Sequence, residues 1–283
     1  MMYNRGMTES LRILAIYAHP DDELSAGGTL AKYAHTGADI TLVCATRGEA
    51  ATIFCADCAT RETLAGVRTG ELVCCCHQLG IQHLEWLDWP DGGVTGVPED
   101  QAVAQIVPIV RRVQPHVLFT HPEHGGYPHP DHIGVYQRVL AAWKAAADPG
   151  YLPAAGPAWA TPKVYTRAIP ESAVDALPAF RDARVNLNGQ KLPFFSEPPE
   201  NLHCVIDTAD WVETRAAGWA CHLSQHNPNG MFSNLPLEAQ KQVYSREHFR
   251  LVAHHLSAGL PPHDALEAGL EFAAPTTSQA HEG

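Results

Sequence analysis

Two short stretches of the chain concentrate side chains that can hold a cation or move a proton. The first is Ala18-His19-Pro20-Asp21-Asp22-Glu23, one imidazole and three carboxylates in a row. The second is His121-Pro122-Glu123-His124-Gly125-Gly126-Tyr127-Pro128-His129-Pro130-Asp131-His132, with four histidines, one glutamate and one aspartate in twelve residues. Imidazole and carboxylate are good ligands for zinc, and Pro20 stiffens the turn that presents them. A dinucleotide site at the first stretch would need the glycines of G-x-G-x-x-G, which let the backbone approach a pyrophosphate; a row of carboxylates repels one. A plainer alternative is that Asp21 and Asp22 cap the following helix and favour its positive end. That explains neither His19 nor the doubled acid, and packing gives no reason for a glycine-rich segment loaded with ionisable groups.

Both stretches leave the ends of predicted strands. Arg12–Ala18 is a short apolar run of strand formers, followed by a polar turn and a predicted helix over Leu24–His35. The pattern continues with a strand at Asp39–Thr46, a helix at Thr60–Leu79, a short strand at Leu84–Leu87, a helix at Glu99–Gln114 and a strand at Val117–Thr120. A helix at Asp131–Ala147 follows the second stretch. Alternating strands and helices imply an α/β fold, a Rossmann-like, doubly wound and mostly parallel sheet, with ligands at the carboxyl ends of the strands. Asp148–Pro162 is rich in proline and glycine and reads as a linker or irregular loop. Beyond it lie predicted strands at Lys163–Ala168 and Cys204–Ile206 and predicted helices at Trp211–Ser224 and Leu237–His248. The expected organisation is a catalytic core over residues 11–147, a smaller, less regular C-terminal lobe over 148–272 that completes the same domain, and a polar tail over 273–283.

The 283 residues suit one α/β domain with an appended lobe. Composition is ordinary for a globular protein, at 45% hydrophobic and 18% charged. No apolar run approaches a membrane span, and the polar Met1–Ser10 segment lacks the features of a secretory signal, so a cytoplasmic location is expected. A formal charge of -12 argues against nucleic acid or an anionic membrane as the main partner and favours a small molecule; homo-oligomerisation stays open. The eight cysteines, three of them consecutive at Cys74, Cys75 and Cys76, are expected to be reduced thiols, because a chain of this length needs no disulfide framework.

The two motifs A-H-P-D-D-E at Ala18–Glu23 and H-P-D-H at His129–His132 resemble those of the LmbE-like, or PIG-L, deacetylase family. That family includes N-acetylglucosaminyl-phosphatidylinositol deacetylases and the sugar deacetylases of mycothiol and bacillithiol synthesis. Thr46-Arg47-Gly48-Glu49, Arg68-x-x-Glu71 with Leu79-Gly80, and His222-x-Ser224-Gln225 support the resemblance. It implies Zn2+ held by His19, Asp22 and His132 with a fourth position left for water, although Fe2+ can occupy such a site. It implies Asp21 as general base, His129 as the group that stabilises the oxyanion and protonates the leaving amine, Asp131 as its tuning partner, and Tyr127 as a second donor to the oxyanion. Glu49, Arg68 and Asp91 are implied as polar contacts to the substrate; a surface ion pair between Arg68 and Glu71 would be the simpler reading of their spacing.

The implied reaction is removal of the acetyl group from an N-acetylglucosamine-type amino-sugar conjugate. A same-family amidase or deacylase acting on another acyl or thiol conjugate would share every catalytic residue. A third reading, a non-catalytic metal-binding or redox protein, would use Cys55-x-x-Cys58 and Cys74-Cys75-Cys76-His77. Against it, adjacent cysteines on a helix point in different directions. Trp86, Trp89 and Trp211 read as core or pocket wall, and His254, His255 and His263 as surface.

Overall fold

The computed structural model describes residues 10–176, 184–187, 189–228, 236–257 and 260–270. Most of the polar N-terminal segment and the whole 273–283 tail lie outside the described residues.

Strand β1 (Arg12–Tyr17) is buried on both faces, as its nearly unbroken apolar sequence requires of a central parallel strand. Its side chains alternate between two cores. Ile13, Ala15 and Tyr17 face α1 (Gly27–His35) and α2 (Leu64–Leu79); Leu14, Ile16 and Ala18 face α3 (Glu99–Val113) and α4 (Pro130–Ala146). β2 (Asp39–Cys44) and β3 (His83–Trp86) add in parallel on one side of β1. β4 (Val117–Thr120) and β5 (Lys163–Ala168) add in parallel on the other. The chain thus reverses its direction of travel across the sheet between β1 and β4, and the crevice outside their carboxyl ends is where such folds bind ligands.

Beyond α5 (Glu171–Ala176) and the small hairpin of β6 (Arg184–Leu187) and β7 (Gln190–Pro193), β8 (Cys204–Asp207) returns to the main sheet. The helices α6 (Val212–Cys221) and α7 (Leu237–Tyr244) precede β9 (Arg246–His254). The seven-stranded order is β3-β2-β1-β4-β5-β9-β8, with β9 antiparallel to both its neighbours.

β9 corrects the sequence reading, which ran a helix from Leu237 to His248. The helix stops at Tyr244, and Arg246–His248 already pair with Asp207, Ile206 and Val205. Pairing on both edges supplies what local propensity does not indicate. The predicted helix from Trp211 to Ser224 also ends early, at Cys221, and is followed by a 3-10 turn over Leu223–Gln225. Of the histidines read as surface, His254 and His255 are exposed, the latter stacking on Trp143 at 4.2 Å between ring centroids, while His263 is half-buried and hydrogen-bonded to the Tyr165 hydroxyl at 2.5 Å. No helix among the described residues is long and apolar enough to cross a membrane.

The expectation of eight reduced thiols is also corrected. Cys55–Cys58 and Cys74–Cys221 are disulfides, while Cys44, Cys75, Cys76 and Cys204 are buried and free. The three consecutive cysteines diverge by their helical rotation: Cys74 points outward to Cys221 on α6, and its two neighbours enter the core. The Cys74–Cys221 bridge spans 147 residues and staples α2 to α6, whereas Cys55–Cys58 closes a loop of only three. Loop entropy makes the long bridge the more stabilising one. Replacing Cys74 and Cys221 by serine together is expected to lower the unfolding free energy by about 2–4 kcal/mol, read as a drop in the urea midpoint at constant slope. The Cys55 and Cys58 serine pair is expected to shift it far less, and an unmoved midpoint in the first variant would exclude the staple.

Candidate active site

The loop after β1 is fixed to the sheet before it reaches the functional side chains. The Ala18 carbonyl accepts the Thr46 amide at 2.9 Å and the Thr46 hydroxyl at 3.0 Å. The Ala18 amide donates to Nε2 of His121 at 3.0 Å, so the first residue after β4 braces the loop after β1. His121 was not assigned a role from sequence. It is buried, stacks on His132 at 3.9 Å, and is pushed down to about 3 by burial and by the neighbouring imidazole.

His19, Asp22 and His132 converge. Nδ1 of His19 lies 3.3 Å from Nε2 of His132 and 3.3 Å from Oδ2 of Asp22; Nε2 of His132 lies 3.3 Å from Oδ1 of Asp22. Four ligands at about 2.0–2.1 Å around a tetrahedral centre stand about 3.3 Å from one another, so the spacing of these donor atoms fits a divalent ion such as zinc. The outer nitrogens are also committed. His132 donates Nδ1–H to the Gly125 carbonyl at 2.9 Å, which turns the Nε2 lone pair inward. Gly125 has φ +76°, and a Cβ there would stand 2.6 Å from the Tyr127 carbonyl and 3.2 Å from the His132 Cβ. Nε2 of His19 faces Oδ1 of Asp91 at 3.1 Å and Oδ2 of Asp131 at 3.3 Å, leaving Nδ1 for the ion. A carboxylate behind a ligating imidazole is the usual device for fixing its tautomer and raising its basicity.

Asp21 stands beside this triad in a conformation that L residues rarely adopt, φ 104° and ψ -20°. Its side chain makes no capping bond, so the capping explanation of the acid pair does not describe it. The amides of Gly28 and Thr29 at the start of α1 go instead to the Glu247 carboxylate on β9, at 3.0 and 2.8 Å. What holds the Asp21 turn is Glu23, whose Oε2 accepts the Asp21 amide at 2.9 Å. Oε1 of Glu23 pairs at 2.8 Å with Nε2 of His222, and both side chains are essentially buried. Burial alone would push the Glu23 carboxyl up, but the His222 charge carries it below its ordinary value; burial depresses His222, and Glu23 raises it on balance. Ser224, in the turn after His222, donates its amide and hydroxyl to Glu71 at 2.6 and 2.8 Å.

Arg68 is not a surface residue paired with Glu71. It is buried, and its guanidinium reaches the Asp21 carboxylate at 3.0 Å, the Gly48 carbonyl at 3.2 Å and the Pro20 carbonyl. Gly48 has φ +67°, and a Cβ on it would collide with that guanidinium, which accounts for the glycine in Thr46-Arg47-Gly48-Glu49. Burial and the nearby Asp22 and Glu23 carboxylates push Asp21 up to about 6, against the pull of Arg68. Glu49 and Asp91 clasp their two loops: Oε1 of Glu49 accepts the Asp91 amide at 2.9 Å, and Oδ2 of Asp91 accepts the Ala50 amide at 2.7 Å.

Asp131 differs from the sequence expectation in how it meets His129. Its carboxylate turns to His19 and accepts the Gly92 and Val94 amides at 2.6 and 3.1 Å, while its backbone amide donates to Nδ1 of His129 at 3.1 Å. That bond leaves His129 with its proton on Nε2. Burial and the neighbouring His132 and His19 push His129 down to about 4, so Asp131 does not hold it protonated. Tyr127 packs edge-on against His129 and His132, and burial next to Asp22 keeps its phenol protonated. A cavity of about 340 Å³ opens over Asp21, Asp22, Tyr127 and His132, with Trp219 and Arg215 from the second half on its far wall. Glu23, Cys75 and His222 form another close group of metal-binding types, but all three are buried and none lines this cavity.

The family model described as PIG-L, GlcNAc-PI de-N-acetylase, matches residues 14–143, from β1 into α4. A 1D-myo-inositol 2-acetamido-2-deoxy-alpha-D-glucopyranoside deacetylase from Geodermatophilus obscurus is 33% identical, over 93% of this chain and 99% of that protein. A mycothiol S-conjugate amidase from Streptomyces coelicolor is 32% identical, with the same coverage of both chains. Among solved structures, the N,N'-diacetylchitobiose deacetylase from Pyrococcus horikoshii shares the fold, with a TM-score of 0.63 at 19% identity over 86% of this chain and 84% of that one. Likeness to such relatives along nearly its whole length, together with the convergence of its two histidine-aspartate motifs, makes the chain a member of the PIG-L family.

Proposed function

We propose that the chain is a zinc-dependent hydrolase that removes the acetyl group from an N-acetylglucosamine-type conjugate, with His19, Asp22 and His132 as ligands and Asp21 as base. The observation that carries this reading is the set of three donor atoms at metal spacing with a carboxyl poised near neutrality beside them. The relatives, a deacetylase of a glucosaminyl-inositol and an amidase of a related conjugate, support an amide as the bond attacked.

When bound, the ion supplies Lewis acidity, which acidifies water and polarises the acetyl carbonyl. Asp21 accepts the proton of the attacking water, and its value near 6 leaves it ionised at neutral pH yet basic enough to do so. Its carboxyl then carries the proton that the leaving nitrogen needs. His129, held neutral with its proton on Nε2, and the Tyr127 hydroxyl donate to the carbonyl oxygen as negative charge develops on it. Asp131 and Asp91 act through His19 by fixing its ring, and Glu49 acts through Asp91.

The amidase reading has one observation in its favour. The cavity lining also carries Phe194, Phe195 and Trp219, apolar surface for an acyl group larger than acetyl. Amine release from an N-acetylglucosaminyl-inositol and from a mycothiol S-conjugate separates the two.

Three results are expected of the proposed machinery. Asp21→Asn should retain one zinc per chain while kcat falls by about 10²–10⁴, and Asp22→Asn should lose the metal itself; equal zinc and equal turnover in both would sink the assignment. Arg68→Met removes the group that lowers Asp21, so the acid limb of kcat/KM should move to higher pH, by roughly one pH unit; a limb that stays in place or moves down would show that Asp21 is not the titrating base. His222→Leu removes the donor behind Glu23 and should reduce kcat by about 10–100-fold with zinc content and KM little changed, whereas full turnover would show that the Asp21 turn holds without it.

A further inference from the structure

The loop that carries Tyr127 turns through two successive glycines, Gly125 and Gly126, at φ +76° and +80°. Glycine permits such a turn but leaves its backbone free to move, so the peptide groups have to be held from outside. The Gly125 carbonyl accepts Nδ1–H of His132, and both polar groups of the Gly126 backbone are bonded as well. The Gly126 amide donates to Nδ1 of His124 at 3.1 Å, and its carbonyl accepts the Phe195 amide at 2.8 Å. The rings of His124 and Phe195 pack at 4.8 Å between centroids, and Phe194 stands edge-on to Tyr127 at 5.7 Å.

These contacts converge on Glu197. Since Nδ1 of His124 accepts the Gly126 amide, the ring proton is on Nε2, which donates to Oε1 of Glu197 at 3.4 Å. Glu197 is 6% exposed, so the bond is not one of the screened pairs of a surface. Its carboxylate also accepts Nδ2–H of Asn201 at 2.5 Å and Nη1–H of Arg250, on β9, at 3.3 Å. Burial pushes the Glu197 carboxyl up, but Asn201, Arg250 and His124 together carry it below its ordinary value. The Glu197 backbone extends the edge of the frame: its amide donates to the Ile169 carbonyl, just past β5, at 2.7 Å, and its carbonyl accepts the Glu171 amide at 3.1 Å. Arg250 reaches Glu123, the residue before His124, at 3.6 Å, which adds a second strap to the same loop. Glu197 lines the catalytic cavity, yet its two oxygens already serve three donors, which suits it to positioning and not to reaction.

We propose that Glu197 is a positioning residue for amide hydrolysis, holding Tyr127 against His129 and His132 by way of His124 and the Gly126 peptide. The proposal rests on the deacetylase reading for the part that Tyr127 plays. The Tyr127 hydroxyl would meet charge that develops only in the transition state, so loosening its loop costs kcat and leaves KM near the parental value.

The test compares Glu197→Ala, Glu197→Gln and His124→Ala in the full-length, zinc-loaded protein. Both alanine variants should lower kcat for amine release from an N-acetylglucosaminyl-inositol by about tenfold, the weight of one hydrogen bond to a charged group, with KM and zinc content little changed. Glu197→Gln keeps an acceptor for His124 and should retain most of the turnover. With Tyr127→Phe already in place, either alanine substitution should lower kcat little further, because the donor that the strap positions is gone. Hydrogen exchange at the Phe195 amide supplies a reading that needs no turnover. His124→Ala leaves Glu197 bonded to Asn201, Arg250 and the end of β5, so faster exchange at Phe195 in that variant, by about tenfold, reports release of the Gly126 carbonyl. A kcat loss of undiminished size in the Tyr127→Phe background, or Phe195 exchange unaltered in His124→Ala, overturns the proposal. An inactive parent protein whose Phe195 exchange still responds to His124→Ala would count against the deacetylase reading and leave the strap standing.

Discussion

Parallel hydrogen bonding between β1 and β4 is the constraint on which the site depends. The two strands are neighbours at the point where the sheet changes direction, in the register Ala15 opposite Phe119. The loops that leave them therefore emerge side by side although more than a hundred residues separate them in sequence. Both strands are buried on both faces, so the loops that carry the proposed ligands leave a packed frame. Placement on such elements holds donor atoms more closely than placement on long loops would. The bond from Ala18 to His121 joins the two loops at their roots, before either has reached a functional side chain.

Around that frame the acids are sorted by what neutralises them. Asp131 accepts two backbone amides, Asp91 accepts one and faces His19, Glu23 pairs with His222, and Asp22 accepts the His19 amide within the cluster of imidazoles. Asp21 alone among them accepts no backbone amide and meets a single guanidinium. The result is one carboxyl near neutrality among several held low, which suits adjacent acids of the same chemistry to the different roles proposed for them. The second half of the chain takes part through His222 and Glu247, which reach back to the two ends of the loop after β1.

The parallel half of the sheet and the three donor side chains were readable in the sequence because their signals are local. Continuous apolar runs mark β1 and β4, and the motifs that follow carry their chemistry within a few residues. What escaped reading depends on distance along the chain. β9 is a strand because β5 and β8 flank it, while its first residues look like the continuation of α7. Glu23 and His222 lie 199 residues apart, and the partner of Cys74 lies 147 away, so neither pairing leaves a pattern in sequence. The motif singles out Asp131, but the side to which its carboxylate points is decided by the amides of Gly92 and Val94 in another loop.

The left-handed backbone at Asp21 narrows what could ever replace it. Glutamate offers the same functional group, but a long side chain is disfavoured at that φ, whereas aspartate and asparagine tolerate it because their short polar side chains can bond locally. Glycine suits the backbone and has no carboxyl. Conformation and the proposed chemistry thus select one residue type independently, and an attempt to transplant this arrangement to another scaffold would have to import the bend along with the acid.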